Sequence, residues 1–319
     1  MRRQLVARLG QSLIVVVLVA TISFFVIHLA PGDPFSYLAE DVPVAVRDHW
    51  RQVYGADQPL AEQFRRYVVA VLHGEFGRSI SRKADVADVI AEALPRTLLL
   101  VGLALVLSFS IGMAVGVLQA TRRGTWFDRL TTNVLVFFYS LPDFWAALMV
   151  LFLFAHRWRL FPTAGMTDLL YEDMPPWGQF VDRLKHLVLP LVAFTLVTVA
   201  SIARYQRAAM LEILPSDYVR TARAKGVSER AVVWRHALRT ALTPMVTILG
   251  LMLPAYLSGA VFIEKVFAWP GLGSLAAEAI TKRDYYLVTG TMIVGSIMVV
   301  VGNLMADLLH MALDPRVRE

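Results

Sequence analysis

The chain contains no cysteine, so a disulfide framework, a thiol nucleophile and a cysteine-ligated metal site are all excluded. Charge is scarce as well: 18% of the 319 residues are Asp, Glu, Lys or Arg, against about 25% in ordinary globular domains. The phosphate-cradling pattern GxxxxGK[S/T] does not occur, which removes an ATPase of the P-loop type. HExxH is missing too. The seven histidines, at 28, 49, 73, 156, 186, 236 and 310, show no paired ligand spacing, which argues against a metalloprotease. No Ser/His/Asp set can be assembled from motif context. What the chain does have is apolar surface. With 57% hydrophobic residues and a mean hydropathy of +0.56, its composition suits a bilayer.

Stretches free of Asp, Glu, Lys and Arg mark the candidate spans. There are 24 residues between Arg8 and Asp33, 25 between Arg96 and Arg122, and 27 between Arg129 and Arg157, the last broken only by Asp143. Lys185 to Arg204 encloses 18, Arg239 to Glu264 encloses 24, and Asp284 to Asp307 encloses 22. About 20 apolar residues cross the hydrocarbon core as a helix, so six spans are expected and both termini lie on one side. With that side cytoplasmic, segments 1–8, 121–129, 204–240 and 314–319 carry 16 Lys/Arg against 6 acids. The outer segments carry 15 Lys/Arg spread over roughly twice the length, offset by 17 acids. Positive charge inside therefore predicts N-in, C-in, and accounts for the basic pI without nucleic acid. The first run exceeds the 7–15 residues of a signal core and ends in HLAPGDP without a small-x-small site, so a retained helix is expected.

The expected organisation is residues 1–32 as N-terminus and first span, 33–95 as an extracytoplasmic lobe, and 96–319 as a core of helices 2–6. Within the lobe ADVADVIAEALP has helical spacing, and Pro95 is expected to end it. Few large apolar side chains make the lobe a weak independent core. The longest inner loop, about 204–240, contains ARAKGVSER at 222–230. Its residues predict two short helices: Asp217 capping the first, Gly226 left-handed at its end, Ser228 capping the second and Glu229 in its first turn. Ala222 and Gly226, four apart, then leave backbone bare on one face, while Arg220, Arg223, Lys225 and Arg230 suit an acidic groove. Such an elbow could dock a soluble motor. A basic loop that merely obeys the charge rule would explain the charge as well, though not the Ala/Gly face.

SDYVRTARAKGVSERAVVWRHALRTALTPMV strongly resembles the coupling (EAA) loop of ATP-driven import permeases. HLAPGDP, GADQPLAEQF, HGEFGRSI, LPRTLLL, SLPDFWAALMVLFLF, HLVLPLVAF, EKVFAWPGLG and ALDPRVRE extend the resemblance in order along nearly the whole chain. The chain resembles the dipeptide/oligopeptide/nickel permease family of ABC importers, specifically the first of its two membrane subunits. It departs from the general loop pattern in having Arg220, Thr221 and Ala222 where Glu-Ala-Ala stands, while the glycine is present as Gly226. The resemblance implies an all-α polytopic protein with a MetI-like permease fold in a bacterial or archaeal cytoplasmic membrane. It implies a non-catalytic subunit with no cofactor of its own, ATP being bound by partners. Those partners are a homologous second permease, two ATPase subunits and an extracytoplasmic solute-binding protein. ATPase docking would fall on Asp217, Arg220, Ala222, Lys225, Gly226 and Ser228. Peptides are the implied solute, with nickel or another small solute as the alternative. A self-sufficient secondary transporter would need inverted repeats and several buried ionisable residues, which the sequence lacks.

Inside the third run Asp143 follows Pro142, and Ser140, Pro142 and Asp143 are candidates for the translocation path. The competing reading has Asp143 capping a helix that resumes after a proline kink. Arg204 and Arg207 either close an inner gate or anchor span four at the headgroups, and Asp307 and His310 are read as structural. Gly250, Gly259, Gly295 and Gly302 are expected at close helix contacts.

Overall fold

A computed structural model of the chain describes residues 2–29 and 57–313. The first part of the lobe, most of HLAPGDP and the closing DPRVRE lie outside the described residues. Among the described residues every regular element is a helix, and one isolated bridge pairs Arg78 with Asp85. The helices are α1 Arg2–Leu29, α2 Leu60–Leu72, α3 Val86–Thr121, α4 Trp126–Tyr139 and α5 Asp143–Leu151, which runs on as a π-helical turn over Phe152–Arg157. They continue with α6 Pro176–Ile213, α7 Asp217–Ala224 and α8 Glu229–Ala231, extended by a π-helical turn at Val232–Ala237 and by Leu238–Ala241. Last come α9 Thr243–Val266, α10 Leu272–Thr281 and α11 Tyr285–Leu313.

Four helical stretches are long and apolar enough to cross a membrane: Gly10–Leu29, Val86–Thr121, Pro176–Ile213 and Tyr285–Met305. A fifth counts if α4 and Asp143–Arg157 form one broken span. In that pair the proline kink expected within the third run is a sharp break, its halves bending by 102°. The break has a local cause. α4 closes with the Ser140 amide on the Val136 carbonyl at 3.0 Å, Pro142 has no N–H to continue the ladder, and the Ala146 amide restarts it on the Pro142 carbonyl at 3.0 Å. The predicted fifth run lies in α9, a 24-residue helix.

Pro95 does not end a helix. It sits inside α3, which runs unbroken for 36 residues. A proline deprives one carbonyl of its partner, and the Ala- and Leu-rich sequence on both sides sustains the helix across that gap. At 1.5 Å per residue α3 and α6 reach about 54 and 57 Å, well beyond a hydrocarbon core of about 30 Å. Both therefore extend past any bilayer, and the far end of α6 leads directly into the basic loop.

The chain divides into two compact units, one of Thr97–Pro270 and Val301 onward, the other of Arg2–Arg96 and Gly271–Val300. In the first, Leu100, Ala104, Ala147, Leu189, Phe194, Tyr256, Ile263 and Trp269 make one buried cluster. α3 and α6 cross in near backbone contact at Gly112 and Gly116. A Cβ at Gly116 would stand 2.5 Å from the Ala203 carbonyl oxygen, and one at Gly112 would stand 2.8 Å from Ile202 Cβ. This small-xxx-small seam is the close-packing device of membrane helices, and it falls on glycines that composition did not single out. Gly295, which was expected at such a contact, has nothing within 4 Å of a Cβ.

In the second unit Val86, Ile90, Leu272, Leu275, Ala279 and Leu287 form the core. Asp284, almost wholly buried, caps α11 through the Leu287 amide (3.2 Å) and accepts hydrogen bonds from Ser79 Oγ (2.6 Å), Ser81 Oγ (2.8 Å) and Ser81 N (2.9 Å). One carboxylate thereby ties the segment before α3 to the start of α11. The described part of the predicted lobe, from residue 57, belongs to this unit.

Candidate functional site

The elbow begins where α6 ends. Ser216 Oγ donates to the Ile213 carbonyl at 2.7 Å, and Ser216 holds the extended backbone that precedes α7. Asp217 is thus the first helical residue and not the cap; its exposed carboxylate lies 3.8 Å from Arg220. At the other end of α7 the Gly226 amide donates to the Arg223 carbonyl (2.9 Å) and the Val227 amide to the Ala222 carbonyl (3.3 Å). Gly226 has φ +77°, so the left-handed turn expected from sequence is present. Ser228 precedes α8 in the cap position without a side-chain bond, its carbonyl taking the Val232 amide at 2.9 Å.

Ala222 requires a correction. It is buried, packed with Val117, Met210, Val219, Val232 and Ala237 in a second cluster of the first unit. Its small side chain faces the chain's own interior, so the backbone there is not bare. Val117 and Ala120 of α3 and Met210 of α6 belong to the same cluster. The elbow is therefore seated on the ends of two spanning helices by apolar packing. Arg220, Lys225 and Gly226 are exposed, and around Gly226 nothing lies within 4 Å of a Cβ.

Three features of the elbow escaped the sequence reading. Arg223 does not serve an outside groove alone; it forks onto Glu229, Nε to Oε2 at 3.0 Å and Nη2 to Oε1 at 2.8 Å. Tyr218 Oη donates to Thr240 Oγ1 at 3.0 Å, joining the start of α7 to the end of the second arm. Tyr218 and Trp234 stand exposed among the Arg and Lys of the elbow, a composition that partner surfaces favour. Aromatic residues amid Arg and Lys were the available signal.

The Arg223 guanidinium holds the Glu229 carboxyl below its usual value of 4.5. A depressed carboxyl contributes stability that is present above the unfolded value and lost as pH falls through the folded one. Acidification below the ordinary carboxylate range is therefore expected to lower the protection of the Gly226 and Val227 amides, measured as exchange relative to the intrinsic rate at each pH. Glu229→Gln is expected to exchange faster already at neutral pH and to lose most of that pH response, as read by hydrogen–deuterium exchange. Equal pH response in both proteins would contradict the bracing role.

Arg207 has a partner to which the sequence did not point. It binds the buried Asp128 bidentately, Nε to Oδ1 at 3.0 Å and Nη2 to Oδ2 at 2.9 Å, while the Gly124 amide donates to Asp128 Oδ2 at 3.0 Å. The pair fastens α6 to the first turn of α4. Ser140, Pro142 and Asp143 come together at the 102° break, all exposed. Ser140 Oγ donates to the Val136 carbonyl at 2.8 Å, while Pro142 occupies the cap position of α5 and Asp143 its first turn without a side-chain cap bond. Asp143 is therefore not the cap residue itself but the first-turn acid of the helix that resumes after the break, a position the helix dipole favours. Asp307 lies in α11, and the side chain of His310 is outside the described residues. Among the described residues no group of three or more His, Asp or Glu is placed to hold a metal.

Residues 112–319 match the family described as binding-protein-dependent transport system inner membrane component, and residues 1–101 match its N-terminal region. The dipeptide transport system permease protein DppB of Escherichia coli K12 is 33% identical, covering 98% of this chain and 97% of its own. The oligopeptide transport system permease protein AppB of Bacillus subtilis is 35% identical over 99% of both. The di/tripeptide transport system permease protein DppB of Pseudomonas aeruginosa UCBPP-PA14 is 36% identical over 94% of both. Among solved structures, a chain of the inward-facing MetNI methionine ABC transporter superposes with TM-score 0.57 at 20% identity, covering 71% of this chain and 96% of that one. That likeness speaks for the fold. With the pattern matched over residues 112–319 and relatives aligned almost end to end, this chain belongs to the binding-protein-dependent transport system inner membrane component family, the permease subunits of ABC importers.

Proposed function

We propose that the chain is the first permease subunit of an ATP-driven peptide importer, crossing a bacterial or archaeal cytoplasmic membrane six times with both termini inside. The observation that carries this reading is the seating of the elbow: one buried cluster joins Val219, Ala222, Val232 and Ala237 of the elbow to Val117 of α3 and Met210 of α6. Close packing transmits displacement, because an interior at crystal-like density does not deform continuously. Force applied at Gly226 therefore reaches two spanning helices. Asp217, Arg220, Lys225, Gly226 and Ser228 offer the docking surface for an ATPase, and Ala222 supports it from within. The chain contributes no catalytic group and no cofactor; ATP binds the partner ATPases.

Peptides are the assigned solute because relatives matched along nearly their whole length are named for dipeptide, oligopeptide and di/tripeptide transport. A homologous second permease completes the path, two ATPases drive it and an extracytoplasmic binding protein delivers the solute. Ser140, Pro142 and Asp143, at a break where backbone groups are freed, face that path. The test is reconstitution in liposomes. The chain with its second permease, ATPases and receptor is expected to accumulate dipeptide on ATP addition, and the chain alone to accumulate nothing. Uptake by the chain alone would refute the reading. Nickel uptake in place of peptide would reassign the solute and leave the coupling intact.

A further inference from the structure

A cavity of about 160 Å³ opens between α4 and α6, lined by Gln119, Thr132, Leu135, Val136, Tyr139, Ala200, Arg204 and Arg207. It lies in the first compact unit, along the second half of α4 and the stretch of α6 from Ala200 to Arg207, beside the end of α3 at Gln119. Water occupies about 30 Å³ per molecule, so the space holds roughly five waters, or a carboxylate with the atoms next to it. No acidic side chain lines it.

The two guanidiniums on its wall are in different states. Arg207 is neutralised by Asp128, whose carboxylate is committed to Arg207 and to the Gly124 amide. Arg204 has no carboxylate partner among the described residues. It lies over the Tyr139 ring, 4.5 Å from the centroid. A cation–π contact orients a guanidinium without using its N–H donors, which stay able to bind an anion. The guanidinium plane is the geometry that receives a carboxylate through two parallel hydrogen bonds. Gln119 is also oriented: its Nε2 donates to Thr131 Oγ1 at 2.9 Å and Thr132 Oγ1 at 3.3 Å, which holds the polar wall beside the arginines in place. The space is otherwise lined almost wholly by apolar surface, and Arg204, exposed at its edge, is the lining arginine left without a carboxylate partner among the described residues.

We infer that Arg204, stacked on Tyr139, forms a carboxylate-binding site at the inner end of the path, and that its ligand is the C-terminal carboxylate of the peptide in transit. The inference rests on the peptide-importer reading. It also deepens that reading, because unblocked peptides share that carboxylate whatever their side chains. A site that reads only this group is indifferent to sequence, as transport of mixed peptides requires. Thr132 and Gln119 then stand beside the anion, and Leu135, Val136 and Ala200 line the space around its alkyl neighbour.

The test uses the complete transporter in lipid nanodiscs. Phenylglyoxal modifies arginine, and mass spectrometry reads the adduct at each position. At saturating concentration N-acetylalanine is expected to slow labelling of Arg204 by about tenfold or more, while N-acetylalaninamide at the same concentration leaves it unchanged. Arg207, held by Asp128, is the internal control. Equal slowing by acid and amide, or none by either, overturns the site. Slowing caused by anionic lipid in the disc, with no further effect of the acid, overturns the assignment to solute and leaves a headgroup contact. In ATP-driven uptake at saturating receptor, Arg204→Gln is expected to reduce dialanine import about tenfold and Arg204→Lys much less. ATP hydrolysis should remain in both. Normal dialanine import by Arg204→Gln would also overturn the proposal, whereas absence of peptide import by the unaltered complex would instead refute the peptide reading beneath it.

Discussion

Valine in place of Gly226 is expected to abolish ATP-driven uptake while the subunit still inserts into the membrane. Two causes act at this position, and two substitutions separate them. The backbone there has φ +77°, in the region that side chains with a Cβ branch rarely adopt. The left-handed conformation costs an ordinary residue about 1–2 kcal/mol, so valine would relax the turn and change the angle between α7 and α8. Asparagine tolerates the same backbone far better. Around Gly226 no atom of the chain lies within 4 Å of a Cβ, so asparagine meets no steric obstacle from its own subunit. If Gly226→Asn imports normally and Gly226→Val does not, the glycine serves the turn. If both fail while both insert and expand to normal membrane levels, the space over Gly226 is filled by the ATPase. Normal uptake with valine would remove the elbow from the mechanism altogether.

Leucine at Gly116 is expected to prevent accumulation of folded subunit, a larger effect on stability than any elbow substitution. Its Cβ alone would stand 2.5 Å from the Ala203 carbonyl oxygen, 2.8 Å from Gln206 Cβ and 3.0 Å from the Arg207 amide nitrogen. Two of these are backbone atoms of α6, which cannot turn aside as a side chain does. Overpacking by a methylene or two costs about 1–3 kcal/mol where neighbours can shift. Against backbone the helices themselves must separate, and the Asp128–Arg207 pair just beyond would be strained as well. Gly102→Leu on the same helix is the control, because a Cβ at Gly102 has nothing within 4 Å. Fluorescence-detected size exclusion with a melting curve in detergent would decide it. A Gly116→Leu protein that melts within a degree or two of the Gly102→Leu protein would show that the seam is not needed.

Much of this protein was legible because membrane insertion is a one-dimensional problem. A run of apolar residues must be helical in lipid, where no water satisfies the backbone, so uncharged stretches translate into helices without regard to neighbours. The same holds for the turn at Gly226, where one residue type answers one local demand. Faces were harder. Ala222 and Gly226 share a spacing, yet Ala222 looks inward onto Val117 and Met210 while Gly226 looks out. Spacing says which residues align along a helix and not which neighbour they meet. Proline was legible at one site and not at the other: the kink expected at Pro142 is present as a 102° break in the third run, while Pro95 passes unnoticed through α3. The difference is the company each keeps, since Pro95 has helix formers on both sides and Pro142 follows a helix already closed at Ser140.

By itself the amino-acid order established the solvent, the helical class, the absence of a nucleotide-binding loop and the position of the elbow, because each follows from composition or from a single residue's backbone. Only tertiary packing decided that Arg207 belongs to Asp128, that Arg204 is left facing a cavity, and that Gly112 and Gly116 hold two helices at backbone distance. Those pairings join residues far apart in the chain, and proximity in space is a property of the folded whole.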